Sequence, residues 1–150
     1  MPSTKDDLKK LPPQNLEAEN FILGALLIDQ NVIIKIGDTV NPEDFYKDAH
    51  GKIYAAMREL YSKREPIDIL SLTSKLEEKG TLESVGGRAY IANLANSVGT
   101  ATNVNYYAEL VQRKATLRRL IAAASEISEM GYDENEEIDE IDPSIVIIKK

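Results

Sequence analysis

The sequence offers two places where a glycine-rich segment could bind a phosphate group. A phosphate-binding loop needs Gly, four residues, then Gly-Lys and Ser or Thr, so that backbone amides and the lysine surround the phosphates. The only Gly-Lys pair in the sequence is Gly51-Lys52. Around it, Tyr46 stands where the motif needs its first glycine, and Ile53 stands where it needs Ser or Thr. Gly86-Gly87 precedes the helical pattern RAYIANLANSV, which Gly99 follows. The glycines therefore indicate helix boundaries and no nucleotide site.

Other side chains that could support catalysis or bind a metal have no suitable companions. His50 is the only histidine, the chain has no cysteine, and no nucleophile stands at a useful spacing. A structural role is predicted for His50. The acidic stretch from Asp133 resembles a calcium loop, but its sixth and twelfth positions are Ile138 and Ser144 instead of Gly and Glu. The sequence therefore predicts no catalytic residue, no metal site and no cofactor in this chain.

A basic cluster stands out in an otherwise acidic chain, whose formal net charge is -7. One interpretation is a contact with DNA or an acidic partner, and the other is a solvated helix face paired in part with Glu109. The net charge argues against a general nucleic-acid surface. The cluster consists of Arg113, Lys114, Arg118 and Arg119.

The N-terminal segment lacks the apolar core of a signal peptide, and no apolar run approaches the roughly 20 residues that span a bilayer. A cytoplasmic protein without membrane contact is therefore expected.

Apolar spacing and cap residues predict helices throughout the chain. Asn15 is a predicted cap for a buried helix, Asn41-Pro42 marks a second start, and Asp68 and Gly80 bound a third helical segment. The segment NVIIKIGD fits a short strand or a short helix, and its helical neighbours favour the helix. Asn103 is predicted to cap a long helix that runs to about Met130.

The long helix carries an apolar stripe at steps of three and four residues. Such a stripe is typical of a helix that packs along its length against another helix, although periodicity alone does not name the covering surface, which could be the head of the same chain. The segment IDEI is predicted to begin a second helix that packs back, antiparallel, on the first. The apolar stripe consists of Leu110, Leu117, Leu120, Ile121, Ala124 and Ile127.

Four ordered blocks resemble the N-terminal domain of bacterial DnaB-type replicative DNA helicases over about residues 12–141. They read PPQNLEAENFILGALL, PEDFYKDAHGKIYAAM, EPIDILSLTSKLEEKG and VGGRAYIANLANSVGTATNVNYYAELVQRKATLRRLI. The resemblance implies a hexameric ring with an ATP- and magnesium-dependent motor tier and an N-terminal collar. The resemblance also implies that the collar is a trimer of dimers that recruits primase, and that single-stranded DNA is contacted only through the complete ring.

The resemblance implies an all-α fold, a compact helical bundle followed by a projecting helical hairpin. The expected organisation is a mobile arm over 1–12, a helical head over 13–100, a hairpin over 101–141 and an irregular tail over 142–150. Pro143 and the β-prone segment 144–148 depart from the family pattern, so the second hairpin arm is short, and the native or foreign origin of the tail stays open.

The predicted function is a non-catalytic oligomerisation and primase-docking domain, with the apolar stripe as the dimer contact. The alternative is a small helical DNA-binding or regulatory adaptor that uses the basic cluster.

Overall fold

The computed structural model describes residues 11–134, and these residues contain six α-helices and one short 3-10 helix but no strand. The all-α prediction is therefore confirmed for the described part of the chain. The predicted arm up to residue 10, the predicted second hairpin arm and the predicted tail lie outside the described residues. The helices are α1 Leu16–Ile28, α2 Val32–Ile36, the 3-10 helix Pro42–Asp44, α3 Asp48–Ser62, α4 Ile69–Glu78, α5 Gly87–Asn96 and α6 Val104–Tyr132.

Side-chain caps fix the starts of two helices as the sequence predicts. The Asn15 carboxamide oxygen accepts a hydrogen bond of 3.0 Å from the backbone N–H of Ala18 at the start of α1. The Asp68 carboxylate accepts one of 2.7 Å from the N–H of Ser71 at the start of α4. Each bond satisfies an amide that has no partner within its own helix. Gly80 ends α4 with a φ of 73°, a left-handed conformation that glycine adopts without a steric penalty.

The start signal at Asn41-Pro42 produces a 3-10 helix and not the beginning of α3. The Asp44 carboxylate accepts a 2.9 Å hydrogen bond from the Asn41 N–H, which closes this turn on itself. Phe45 then adopts an extended conformation, and its ring packs 5.0 Å from that of Tyr54 in the core. Because Phe45 is extended and buried, the helical turn that starts at Asn41-Pro42 ends before α3 begins at Asp48. The ambiguous segment at 31–38 forms α2, as the neighbouring helices suggested.

The described residues form two compact units, 11–116 and 117–134, and the division falls within α6. In the first unit, α1 is buried almost all round and packs against α2, α3 and α5, while α3 and α5 also pack against α4. Three residues of α6 complete the same core, Val104, Ala108 and Val111, and Ala115 on the next turn is also buried. The boundary between the two units falls between residues 116 and 117, and the division into a head over 13–100 and a hairpin over 101–141 stays a prediction.

Two buried features of the first unit have direct consequences for stability. A Cβ atom on Gly24 would lie 2.4 Å from the Leu94 carbonyl oxygen and 2.6 Å from Val98 Cγ2, so α1 and α5 approach closely only because residue 24 is glycine. Tyr54 is fully buried, and its hydroxyl donates a 2.9 Å hydrogen bond to the Val40 carbonyl oxygen. Burial raises the pKa of Tyr54 to about 12.

Candidate functional site

A buried polar network lies where α1, α3 and α5 meet in the first unit. The Glu19 carboxylate and His50 Nδ1 are 2.7 Å apart, and both side chains are almost fully buried. His50 Nε2 and the Tyr90 hydroxyl are joined by a hydrogen bond of 2.6 Å. Both ring nitrogens of His50 therefore have partners. This position agrees with the predicted structural role of the only histidine.

The same network anchors the segment between the 3-10 helix and α3. Glu19 Oε2 accepts a 2.7 Å hydrogen bond from the backbone N–H of Tyr46, and Oε1 accepts a longer one of 3.4 Å from the N–H of Lys47. The Lys47 ammonium donates to the Tyr90 hydroxyl at 3.2 Å and also lies 4.6 Å from the centre of its ring. One carboxylate thus connects three separate segments of the chain. The Glu19 carboxylate therefore has a structural role, because the network contains no nucleophile that a substrate could reach.

This network is not apparent from the sequence, although each helix that contributes to it is. Glu17 and Glu19 both stand in the first turn of α1 and give the same sequence signal, yet Glu17 is exposed and Glu19 is buried. Glu19 meets His50 across 31 residues and His50 meets Tyr90 across 40. The one available signal was the position of Glu19 beside the continuous apolar run of α1. A carboxylate on such a face needs a buried partner.

A second polar cluster connects α3 and α4 at the surface of the first unit. The Glu59 carboxylate lies 2.6 Å from Lys79 Nζ and 3.6 Å from the ammonium groups of both Lys63 and Lys75. The hydrogen bond from Lys79 is the main cause that lowers the pKa of the Glu59 carboxyl below its usual value. The cluster therefore favours the packed arrangement of the two helices at neutral pH.

The apolar stripe of α6 is divided between the units. Leu110 packs against the core of the first unit, so part of its apolar surface is already buried within the chain. In the second unit the exposed fractions are 38% for Leu117, 65% for Leu120 and 52% for Ile121. Ala124 is also exposed, and Ile127 is half-buried. The second unit thus presents apolar side chains of one helix face to the solvent.

The basic cluster is divided in the same way. Arg113 is exposed and Lys114 half-buried in the first unit, whereas Arg118 is half-buried and Arg119 exposed in the second. The four residues lie on consecutive turns of α6. They fall within a helix whose other exposed charges in the second unit are acidic, Glu126 and Glu129.

Among residues 11–134 no group of three or more acidic, histidine or cysteine side chains is placed to hold a metal ion. No helix in this part of the chain is both long and apolar enough to span a membrane.

The sequence that forms these helices matches a known protein family. Residues 11–113 match the family described as DnaB-like helicase N terminal domain, which is more than half of the chain. The chain belongs to the DnaB-like helicase N-terminal domain family. The resemblance recognised in the sequence blocks is confirmed. Members of this family are N-terminal domains of DnaB-like helicases. The match agrees with the prediction that this chain is not the ATP-hydrolysing motor.

Curated relatives of this DnaB-like domain are replicative helicases. The Bacillus subtilis (strain 168) replicative DNA helicase DnaC is 42% identical over 132 residues, which cover 88% of this chain and 29% of the relative. The Geobacillus stearothermophilus replicative DNA helicase DnaB is also 42% identical, over 131 residues, with 87% and 29% covered. The chain therefore spans less than a third of the length of these relatives.

Solved structures of DnaB-like proteins share the fold. The crystal structure of the N-terminal domain of DnaB helicase from Mycobacterium tuberculosis superimposes with a TM-score of 0.85 at 36% identity and covers 89% of this chain and 94% of that one. A DnaB-like replicative helicase, described with its interactions with primase, gives a TM-score of 0.69 at 30% identity and covers 77% and 26%. The Helicobacter pylori DnaB N-terminal domain also scores 0.69, but at 18% identity it supports the fold alone.

Proposed function

We propose that this DnaB-like domain is a non-catalytic collar domain that associates with copies of itself and binds primase at the bacterial replication fork. The exposed apolar face of the second unit is the observation that carries self-association. Its most exposed large side chains are Leu120 and Ile121. Covering a leucine or isoleucine side chain from water contributes about 1.5–3 kcal/mol. A contiguous apolar face of this kind typically marks a protein contact.

The exposure of Leu120 makes it a suitable position for testing self-association without unfolding the chain. Leu120→Asp places a charge in an interface that excludes water, where an unpaired carboxylate is costly. The same substitution at Ala122, which is exposed and lies nearly opposite Leu120 on the helix, is the matched control. Sedimentation velocity should show self-association weakened by Leu120→Asp and unchanged by Ala122→Asp. Equal behaviour of the two variants and the parent chain would refute the interface.

Primase is proposed as the second partner because of a related structure. The DnaB-like replicative helicase that is 30% identical to this chain is described together with its interactions with primase. Isothermal titration calorimetry of purified primase into this chain should give saturable binding. A heat signal no larger than that of dilution, with both proteins folded by circular dichroism, would refute the proposal for the isolated domain.

We expect the nucleotide chemistry of the complete helicase to reside outside this chain. The sequence has no phosphate-binding loop, and we therefore propose that ATP, magnesium and single-stranded DNA are handled by the complete ring. A purified preparation of this chain should not release phosphate from ATP above the buffer rate. Hydrolysis that persists through purification would require a different functional class.

A further inference from the structure

The loop between α3 and α4 holds Arg64 in an unusual backbone conformation. Its φ of 60° lies in the left-handed region, which is sterically unfavourable for every residue that has a Cβ atom. The Arg64 N–H donates to the Tyr61 carbonyl oxygen at 3.0 Å, and the Glu65 N–H donates to the Leu60 carbonyl oxygen at 2.8 Å. These two hydrogen bonds form a Schellman motif, in which glycine is the usual residue at the position of Arg64. An arginine therefore stands where the backbone favours glycine.

The side chain of Arg64 makes no contact within residues 11–134 that would offset this strain. It is exposed, and it forms no hydrogen bond, ion pair or ring contact with another residue of that range. The loop itself is firmly held, because the Ile67 N–H donates to Gln30 Oε1 at 2.9 Å and the Ile67 side chain is buried. Strained residues on well-held backbone cluster at binding sites. An arginine whose five N–H donors face solvent points to an acidic ligand.

Two open grooves of the first unit adjoin this loop, and both are lined in part by Glu65 and Pro66. The first groove has a volume of about 570 Å³ and is also lined by Tyr61, Arg64 and Gln30. The Gln30 amide nitrogen is a further donor there, because the Oε1 atom of the same side chain already accepts from the loop. The first groove therefore suits a ligand that accepts hydrogen bonds.

The second groove is the more apolar of the two at its base. It has a volume of about 640 Å³ and is lined by Leu60, Pro66 and Leu70, among others. Leu70 is 72% exposed, more than any other large apolar side chain that the structure describes in the first unit. Both volumes lie in the range of known ligand pockets. The second groove therefore suits an apolar side chain of the same ligand.

We propose that the α3–α4 loop and its two grooves bind a segment of another protein in which an aspartate or glutamate stands a few residues from a large apolar side chain. The carboxylate binds the Arg64 guanidinium, which donates two parallel hydrogen bonds to it. The apolar side chain covers Leu70. Tyrosine and arginine, present here as Tyr61 and Arg64, are among the residue types that dominate binding energies at protein interfaces. The surface lies on α3 and α4, whereas the apolar stripe and the basic cluster lie on α6.

Carboxylates beside the grooves favour a peptide over a nucleic acid as the ligand. Glu65 lines both grooves, and Glu78 lines the second one, where its carboxylate lies 3.3 Å from Lys75 Nζ. A nucleic acid carries a charge at every phosphate and would be repelled by these carboxylates. A peptide needs to place only one carboxylate at Arg64, and its apolar side chain suits the exposed Leu70.

Selection from a phage-displayed library of random decapeptides tests the chemistry of the ligand without presupposing its sequence. The immobilised chain should enrich peptides in which an acidic residue stands a few positions from a large apolar one. The most enriched sequence, made as a fluorescein-labelled peptide, is then titrated with the chain and its variants by fluorescence anisotropy. No enrichment above the unselected library, or enriched peptides without an acidic residue, would overturn the proposal.

Arg64→Gly separates binding from folding. The variant loses the guanidinium but fits the left-handed backbone, so the selected peptide should bind at least tenfold more weakly while the thermal midpoint does not fall. Leu70→Ser should weaken the peptide about tenfold. Arg88→Gln and Ile34→Ser are the matched controls, because they remove an exposed charge and an exposed isoleucine from other helices. Equal affinity of Arg64→Gly and the parent chain would refute the site.

Two competition measurements separate this surface from other ligands and from the proposed function. Single-stranded oligothymidine should not displace the selected peptide, and displacement by it would show that the surface binds nucleic acid instead. Leu120→Asp, the variant that weakens the proposed self-association, should bind the peptide like the parent chain. Loss of peptide binding in Leu120→Asp would place the ligand on the apolar stripe and overturn its assignment to the α3–α4 loop.

Discussion

Replacing Glu19 with alanine should strongly destabilise the first unit, whereas the same change at Glu17 should not. Both glutamates lie in the first turn of α1, but only Glu19 is buried. Glu19→Ala removes the acceptor of the buried His50 Nδ1 and of the Tyr46 N–H. Leaving a buried donor unsatisfied costs about 1–3 kcal/mol. For the buried His50 donor and the partly buried Tyr46 N–H together we expect a loss of about 3 kcal/mol. The loss of the longer hydrogen bond from the Lys47 N–H, at 3.4 Å, adds little.

The control variant Glu17→Ala loses only a favourable interaction with the helix dipole, about 0.5 kcal/mol. Thermal unfolding followed by circular dichroism at 222 nm should show the difference as a midpoint lowered by roughly 6–12 °C for Glu19→Ala, at 2–4 °C per kcal/mol for a chain of this size. Urea denaturation at 25 °C would give the free energies independently. Midpoints within 1–2 °C of each other for the two variants would refute the assignment of Glu19 as the anchor of the network.

Three further predictions concern other parts of the molecule. Gly24→Ala should lower the free energy of unfolding by about 1–2 kcal/mol in urea denaturation, because overpacking against Leu94 and Val98 exceeds the gain in helix propensity; a stabilised variant would contradict the close approach of α1 and α5. The raised pKa of Tyr54 means that the unfolded chain loses this proton first, so stability is fully present below its ordinary value of 10.0 and should fall by roughly 2–3 kcal/mol as the pH rises to about 12. Tyr54→Phe should lack this alkaline loss in urea titrations, and an equal loss would contradict the assignment. The isolated chain should bind single-stranded DNA weakly in fluorescence anisotropy; tight, steeply salt-dependent binding would favour the adaptor that uses the basic cluster.

Local signals in the sequence predicted the helical elements well. Asn15 and Asp68 cap their helices through bonds to residues three positions away, and a contact that short depends only on neighbouring residue types. The apolar run of α1 likewise predicted a helix inside the fold. The start signal at Asn41 was less reliable, because the burial of Phe45 against Tyr54 ends the turn after three residues. Tertiary packing decided that boundary.

The buried network and the close approach at Gly24 could not be predicted in the same way. Glu19, His50 and Tyr90 come together only after three helices pack, and nothing in their sequence spacing indicates which helix faces meet. Gly24 likewise gave no sequence signal, since its role depends on the carbonyl of Leu94, 70 residues away. The family resemblance predicted the fold and the class of protein, but the individual residues of the apolar stripe and the basic cluster stay predictions.

The most direct test of the central claim is the absolute mass of this chain by multi-angle light scattering over a wide range of concentrations. The collar proposal predicts a dimer or a larger multiple of 16.7 kDa that dissociates on dilution. Leu120→Asp should shift that equilibrium toward the monomer, and Ala122→Asp should leave it unchanged. A mass of 16.7 kDa at every concentration, with all variants folded, would contradict self-association through the apolar stripe.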